Sequence, residues 1–421
     1  MTRKSYLLTA IVAVAAITLV GCSSGDSGSS GDSSSGKLRM SVWSSDEAQM
    51  ALFNSIADEY MEQNPEITSI KFESLPFDDY NTTLTTQVAG GNAPDLAWVG
   101  DISKDLIAAD ALMPLNDAFS GTDDWEFDDV LPSLKEQYSK DGELYAFPFS
   151  NSPYALYVNT DLLAEADQTW DGGDVTWDDI AAKSSAVNQA TGKAGLVIRD
   201  FDFSSWQHLE SVWAGWGGSP WNSEGTTCTF DSPEMTEAFQ FIHDSIFVDG
   251  AMPGPGVTAD FFAGDSAFTV AQVSRASLLD GSFQFDIAPL PNGPAEDYAV
   301  IGQAGMGVLK SSPNAEQAVD FLTFLTNPEN SAKLAQFFPP PRESLLTGDK
   351  LAEVNDKLSA EQLQSVVIDE LPQATTNVNH TNPAEIGDTV RVVLDELWSA
   401  NADVPAALAD VCGALDPMLS E

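Results

Sequence analysis

The amino-acid sequence predicts an α/β protein of two lobes, each a mainly parallel sheet flanked by helices. Three observations carry this. From Leu38 to Val99 strand-like and helix-like periods alternate in the order β-α-β-α-β, which builds a parallel sheet covered on both faces. Beyond a low-complexity N-terminal stretch lie about 385 residues, more than one hydrophobic core usually serves. Helix starts then recur along the rest of the chain, at Thr176 to Asp179, Ser232-Pro233, Ser312-Pro313 and Asn327-Pro328.

The N-terminus reads as an export signal over residues 1–21. Arg3 and Lys4 precede an apolar run from Leu7 to Val20, shorter than the roughly 20 residues that span a bilayer. Leu19-Val20-Gly21-Cys22 resembles the lipobox of bacterial lipoproteins, so Cys22 is expected to be acylated and to anchor the chain on the outer face of the cell membrane. Ser23 to Gly36 contains only Ser, Gly and Asp, a composition that buries no apolar surface, and residues 22–36 are expected to form a tether reaching about 20 Å. Gly21 to Gly25 also fits G-x-S-x-G, but no strand-to-helix turn surrounds it, so no hydrolase elbow is read there.

The first strand shows as Leu38, Met40 and Val42 alternating with Arg39, Ser41 and Trp43. A helix follows, with capping-box spacing at Ser44 and Glu47 and paired apolar residues from Leu52/Phe53 to Tyr60/Met61; Asn64-Pro65 stops it. Ile70 and Phe72 mark a second strand, Tyr80, Leu84 and Val88 a second helix, and Leu96 to Val99 a buried third strand. Ligands of such sheets bind beyond the carboxyl ends of the strands, which points to the turns at Ser44 to Glu47 and Gly100 to Asp101. After Ser312 an apolar stripe runs through Ala318, Phe321, Leu322 and Leu325, and Ala384 to Leu419 reads as two more helices.

Charge and cysteines limit the partners and the compartment. The full chain carries 64 acidic against 18 basic residues; without the signal's Arg3 and Lys4 there are 16, a net charge near −48. Such a surface repels nucleic acid. With Cys22 set aside, Cys228 and Cys412 remain in an exported chain and are expected to form a disulfide, worth up to about 5 kcal/mol if chain entropy alone counts.

From Leu38 to about Arg342 the chain resembles the family 1 extracellular solute-binding proteins of ABC transporters, the maltose-binding-protein type. The resemblance rests on Gly91 to Asp95 before a buried strand, Tyr145 to Pro148 followed by Tyr157 to Leu162, Thr176 to Asp179, Gly217-Gly218, Phe262 to Ala267, Ala288 to Pro291, and Ser312-Pro313 leading to Leu322. It implies a type II-like periplasmic-binding-protein fold with hinge crossings and a helical C-terminus. Lobe 1 would comprise 37–150 plus 302–343 and lobe 2 151–301 plus 344–421, with crossings near Phe149 to Asn151, Ile301 to Gln303 and Arg342 to Ser344. Cys228 and Cys412 would then share lobe 2. It further implies a monomer that encloses an oligosaccharide, closes by a hinge and presents the closed shape to the permease subunits.

A pyranose offers apolar C–H faces and a rim of hydroxyls, so its site needs flat rings and several fixed polar groups, each bond netting only about 0.5–1.5 kcal/mol. Positions matching the family pattern are Trp98 and Asp101 in the first lobe, Asp46 and Glu47 at the first β-α turn, and Asn151, Ser152 and Tyr154 at the first crossing, where some relatives carry an acid that this chain lacks. Asp202, Gln272, Gln303 and His380 complete the polar set. Trp206, Trp213 and Trp216 fall at i, i+7 and i+10, the spacing of a core stripe, yet Trp206 is assigned to the cleft because Asp202 and Ser205 beside it are polar. Asp46 has a bland alternative as a helix N-terminal charge. Replacing Trp98 or Trp206 by alanine should weaken binding by about tenfold or more while the fold survives.

Other classes are disfavoured. A glycoside hydrolase needs two carboxylates flanking a bond, and acids are too abundant here for pairs to be informative. His208, His243 and His380 are the only histidines and no H-E-x-x-H occurs, so no metal is expected. Gly302, Gly305 and Gly307 do not make a phosphate loop, and no cofactor is expected. A polyamine-binding protein of the same architecture gains from the acidic charge and stands as the second reading.

Overall fold

The computed structural model describes residues 36–198, 206–295, 298–375, 380 and 383–419. Cys22, the signal, the tether except Gly36, and Asp202 lie outside these residues. Among them no helix is long and apolar enough to cross a membrane.

The first alternating stretch forms β1 (Lys37–Val42), α1 (Glu47–Gln63), β2 (Ser69–Ser74), α2 (Phe77–Ala89) and β3 (Leu96–Val99). Both β2 and β3 pair parallel with β1, Met40 lying opposite Phe72 on one side and Leu96 on the other. Helix α1 starts two residues later than capping-box spacing from Ser44 implies. Asp46 is the N-cap, its Oδ1 accepting from the Ala48 and Gln49 amides at 2.8 and 3.0 Å, while Ser44 accepts from the Asp46 amide.

Two strands then run between the lobes. The fourteen residues of β4 (Ala146–Asn159) are all buried. Beyond it lie α3 (Trp177–Thr191), β5 (Ala194–Ile198), α4 (Pro233–Phe247), β6 (Ser266–Gln272), β7 (Phe285–Ala288) and β8 (Ala299–Val308). In the main sheet the order is β2-β1-β3-β8-β4-β6-β5, with β7 also on β4. The outer pairs are parallel, while β8 is antiparallel to β3 and β4, and β4 is antiparallel to β6 and β7. A register shift between Ala304 and Met306 falls where β8 enters the first core, the kind of irregularity that bends a strand.

Helices α5 (Ala315–Leu325), α6 (Pro328–Leu334), α7 (Pro383–Leu394) and α8 (Val404–Leu419) follow. Thr176, Ser232 and Asn327 cap α3, α4 and α6 as their spacing predicts. Ser312 does not cap α5. Asn314 takes that position, and the Ser312 hydroxyl accepts from the Asn314 amide and donates to Asp95.

One apolar core gathers residues between Leu38 and Phe149 and between Ala304 and Phe338; a second gathers Tyr154 to Val300 together with Ile386 to Leu419. A third cluster packs Tyr157, Phe261 and Leu279 against Leu363 and Val367. Around the expected third crossing, Arg342 stands 3.7 Å from Asp129, and Ser344 binds Asp129 through both its amide and its hydroxyl. Cys228 and Cys412 are joined by a disulfide that ties the segment before α4 to α8.

Candidate binding cleft

A cleft of about 590 Å³ opens between the two cores, within the range of small-molecule sites. Its first wall stands at the carboxyl ends of β1 and β3, where the next residues are Trp43 and Gly100-Asp101. Trp43 meets Tyr80 and Trp98 edge to face at 5.0 and 5.1 Å. The floor is the pair of crossing strands, with Ser150, Ser152 and Tyr154 from β4 and Ile301 to Ala304 from β8. The far wall carries Trp206, Glu210, Trp213, Trp221, Gln272, Arg275 and His380.

Of the first crossing, Phe149, Ser150, Ser152 and Tyr154 line the cavity and Asn151 does not. Asn151 serves the backbone instead: Nδ2 donates to the Pro148 carbonyl at 2.8 Å, the amide to the Pro339 carbonyl at 2.9 Å, and Oδ1 accepts from Gln303 Nε2 at 2.9 Å. Asp46 and Glu47 are likewise off the lining. Asp46 has both oxygens engaged, Oδ2 accepting from Ser277 Oγ at 2.8 Å, and Glu47 is exposed in the first turn of α1.

The other named residues that are described meet at the cavity, Asp202 lying outside the described residues. Trp98 forms its wall from within the first core, 1% exposed, against Phe53, Phe149 and Phe338. Trp206 is buried, donates Nε1–H to the Gly387 carbonyl at 3.2 Å and lies nearly parallel to Trp213. The tryptophan segment is not one continuous helix: 206–209 and 214–216 are 3₁₀ turns around a short α-helical stretch. Ser152 accepts from the Ser274 amide at 2.9 Å, and Gln272 donates to the Tyr154 hydroxyl at 3.0 Å. Gln272 lies over Gly302, where an added Cβ would come within 2.9 Å of its amide nitrogen. Trp43, Phe77, Glu210 and Arg275 line the cleft without having been assigned to it from sequence, as does Trp221 of the tryptophan-rich segment; Trp43 had a usable signal as the residue directly following β1.

The lobes touch across the cleft. Phe77 stacks on His208 with ring centroids 6.1 Å apart, and Ser277 reaches Asp46. Two acids face each other through their charge: Asp101 reaches solvent at the cleft mouth, yet withdrawal from bulk water raises its pKa, and Glu210 is pushed up to about 8, by desolvation first and by Asp101 second. His380 is shifted down by burial and by Lys104. Among the described residues, Nε1 of Trp98, Nε1 of Trp221 and Nε2 of His380 are buried without a hydrogen-bond partner.

Glu210 gives a signed pH dependence. An acid whose folded pKa exceeds its ordinary 4.5 holds a proton that the unfolded chain has shed, so its stabilising contribution is full below 4.5 and is lost as pH rises through about 8. Between pH 5 and 8.5 the melting temperature of wild type is expected to fall further than that of Glu210→Gln. Parallel melting profiles would contradict the shift.

Residues 55–358 match a family described as bacterial extracellular solute-binding protein. The arabinooligosaccharide-binding protein of Halalkalibacterium halodurans is 26% identical over 404 residues, covering 89% of this chain and 88% of its own. A sn-glycerol-3-phosphate-binding periplasmic protein of Shigella flexneri is 27% identical over 322 residues, covering 70% and 72%. Among solved structures, an ABC substrate-binding protein of Listeria monocytogenes in complex with cycloalternan superposes with a TM-score of 0.80 at 21% identity, covering 91% of this chain and 98% of that one. That likeness establishes the two-lobed fold.

Proposed function

The chain belongs to the bacterial extracellular solute-binding protein family, and from that premise we propose that it captures an oligosaccharide between its lobes and delivers it to an ABC importer. Members of the family are receptors, not catalysts, and act outside the cytoplasm. The lipobox at Cys22 and the Ser/Gly/Asp tether support a lipid anchor that keeps the folded body beside the membrane.

The observation that carries the sugar reading is the wall chemistry of the cleft. Trp43, Trp98, Trp206 and Trp221 supply flat apolar surface of the kind that covers the C–H faces of a pyranose. A phosphoester meets the carboxylates Asp79, Asp101 and Asp388 in the lining, against Arg275 and Arg391, and Arg391 is already paired with Asp388 at 3.2 Å. A neutral polyol suits the flat walls and brings no charge to these acids, and two relatives bear the names of arabinooligosaccharide and maltotriose binders.

Calorimetric titration with maltotriose, arabinotriose, cycloalternan, spermidine and glycerol-3-phosphate tests the reading. One of the oligosaccharides is expected to bind and to be recovered intact, and Trp206→Ala to weaken it by about tenfold or more. Binding of spermidine or glycerol-3-phosphate alone would replace the proposal, and cleaved sugar would make the protein a hydrolase.

A further inference from the structure

Asp46 and Ser277 join the lobes from outside the cavity lining, so a guest in the cleft does not displace their bond. Asp46 caps α1 of the first lobe, and Ser277 lies on the 3₁₀ turn Val273–Leu278 that leaves β6 in the second. That turn is held firmly. Val273 and Ala276 are buried in the third cluster, and the Ser274 amide donates to Ser152 Oγ on β4 at 2.9 Å.

A hydroxyl carries one proton, and that of Ser277 has two acceptors in reach. Asp46 Oδ2 lies in the other lobe at 2.8 Å, and the Ser274 carbonyl lies within its own turn at 3.2 Å. The shorter bond, to a carboxylate, takes the proton while the lobes are together. When they part, rotation of the hydroxyl hands it to Ser274. The cap of α1 survives as well, because Asp46 Oδ1 alone accepts from the Ala48 and Gln49 amides. Both residues are half-buried, so water reaches the freed Oδ2. The bond is thus made only when the lobes meet and leaves no buried group unpaired when they separate, which is the differential contact that shifts a two-state equilibrium.

A second contact acts on the same motion. Phe77, the first residue of α2, is 49% exposed and stacks on the buried His208 of the second lobe, with planes 24° apart.

We propose that the Ser277–Asp46 bond, helped by Phe77 on His208, is a latch between the lobes that closes part of the ligand-free population and slows the escape of a bound guest. The proposal rests on the solute-binding reading above but not on the guest being a sugar, so its first test uses no ligand. Small-angle scattering of the ligand-free protein compares wild type with Ser277→Ala, Ser277→Thr and Phe77→Ala, and melting curves report that each is folded. A shift of about tenfold turns an even mixture of open and closed chains into one roughly nine-tenths open. Ser277→Ala and Phe77→Ala are therefore expected to have larger radii of gyration than wild type, and Ser277→Thr, which keeps the hydroxyl, the radius of wild type. Stopped-flow release of the tightest binder among maltotriose, arabinotriose and cycloalternan is expected to quicken by about tenfold in Ser277→Ala. Equal ligand-free radii in wild type and Ser277→Ala, or equal release rates, would overturn the latch and leave the oligosaccharide reading standing. If none of the three sugars binds, that reading falls, while the ligand-free radii still decide the latch.

Discussion

Trp98→Ala is expected to lower the stability of the chain by about 3–5 kcal/mol, the usual cost of removing a buried tryptophan. The sequence places Trp98 at the ligand and expects its truncation to spare the fold. In the structure the indole is buried to within 1% and touches Trp43, Phe53, Phe149 and Phe338, so truncation opens a void where the first core meets the cleft. The Trp98 carbonyl also accepts from the buried Tyr80 hydroxyl at 2.9 Å, which couples any backbone adjustment to α2. Urea denaturation of the two proteins measures the difference; a loss under about 1 kcal/mol would show that the site collapses around the gap. Trp206 is buried as well, at 5% exposure in the second core, so Trp206→Ala carries a stability cost of the same order and its effect on binding is read where the variant is still folded.

Arg342→Met is expected to cost a similar amount, about 3–5 kcal/mol, because it strips the partner from buried acceptors. Arg342 is fully buried. Its guanidinium donates to the Thr326 carbonyl at 2.8 Å, to Ser331 Oγ at 3.1 Å and to the Glu126 carbonyl at 3.2 Å, lies 4.5 Å over the Trp125 ring and stands 3.7 Å from Asp129. Methionine fills much of the volume and pairs with none of these groups. The loss should concentrate around the expected third crossing, so hydrogen exchange is expected to quicken at Leu131, whose amide donates to the Pro341 carbonyl. Unchanged exchange there with unchanged stability would mean that Trp125 and Asp129 hold the segment without the arginine.

The legible parts of the fold were those written in periodicity. Alternation at Leu38, Met40 and Val42 and the four-residue spacing along α1 arise from one buried face each, and the elements formed there. Strand β4 carries no such signal, because all fourteen residues are buried and its parity cannot be read from hydropathy. That is why Asn151 was grouped with Ser152 and Tyr154, which line the cleft while it does not. The cap of α1 moved from Ser44 to Asp46, and that of α5 from Ser312 to Asn314, because several small polar residues in a row compete for one position and tertiary bonds decide among them.

The cleft was legible where ligand position follows topology and illegible where it follows lobe packing. Beyond the strand carboxyl ends, Asp101 and Trp43 line the cleft, while Asp46 and Glu47 at the first turn do not. Trp43 was visible as the last residue of the alternating run. Phe77, Glu210 and Arg275 reach the cleft only because two distant segments close on it, which no local pattern encodes. Trp221 depends on a turn fastened by the disulfide, so its place follows from a bond 184 residues long in sequence.

Small-angle scattering with and without the oligosaccharide identified by titration reads closure itself. A smaller radius of gyration is expected once sugar is bound, as two lobes shut on a guest that leaves unaltered, and the same change is expected to be absent in Trp206→Ala at equal sugar concentration. A radius that stays constant at saturating sugar would contradict a cleft that closes around its ligand.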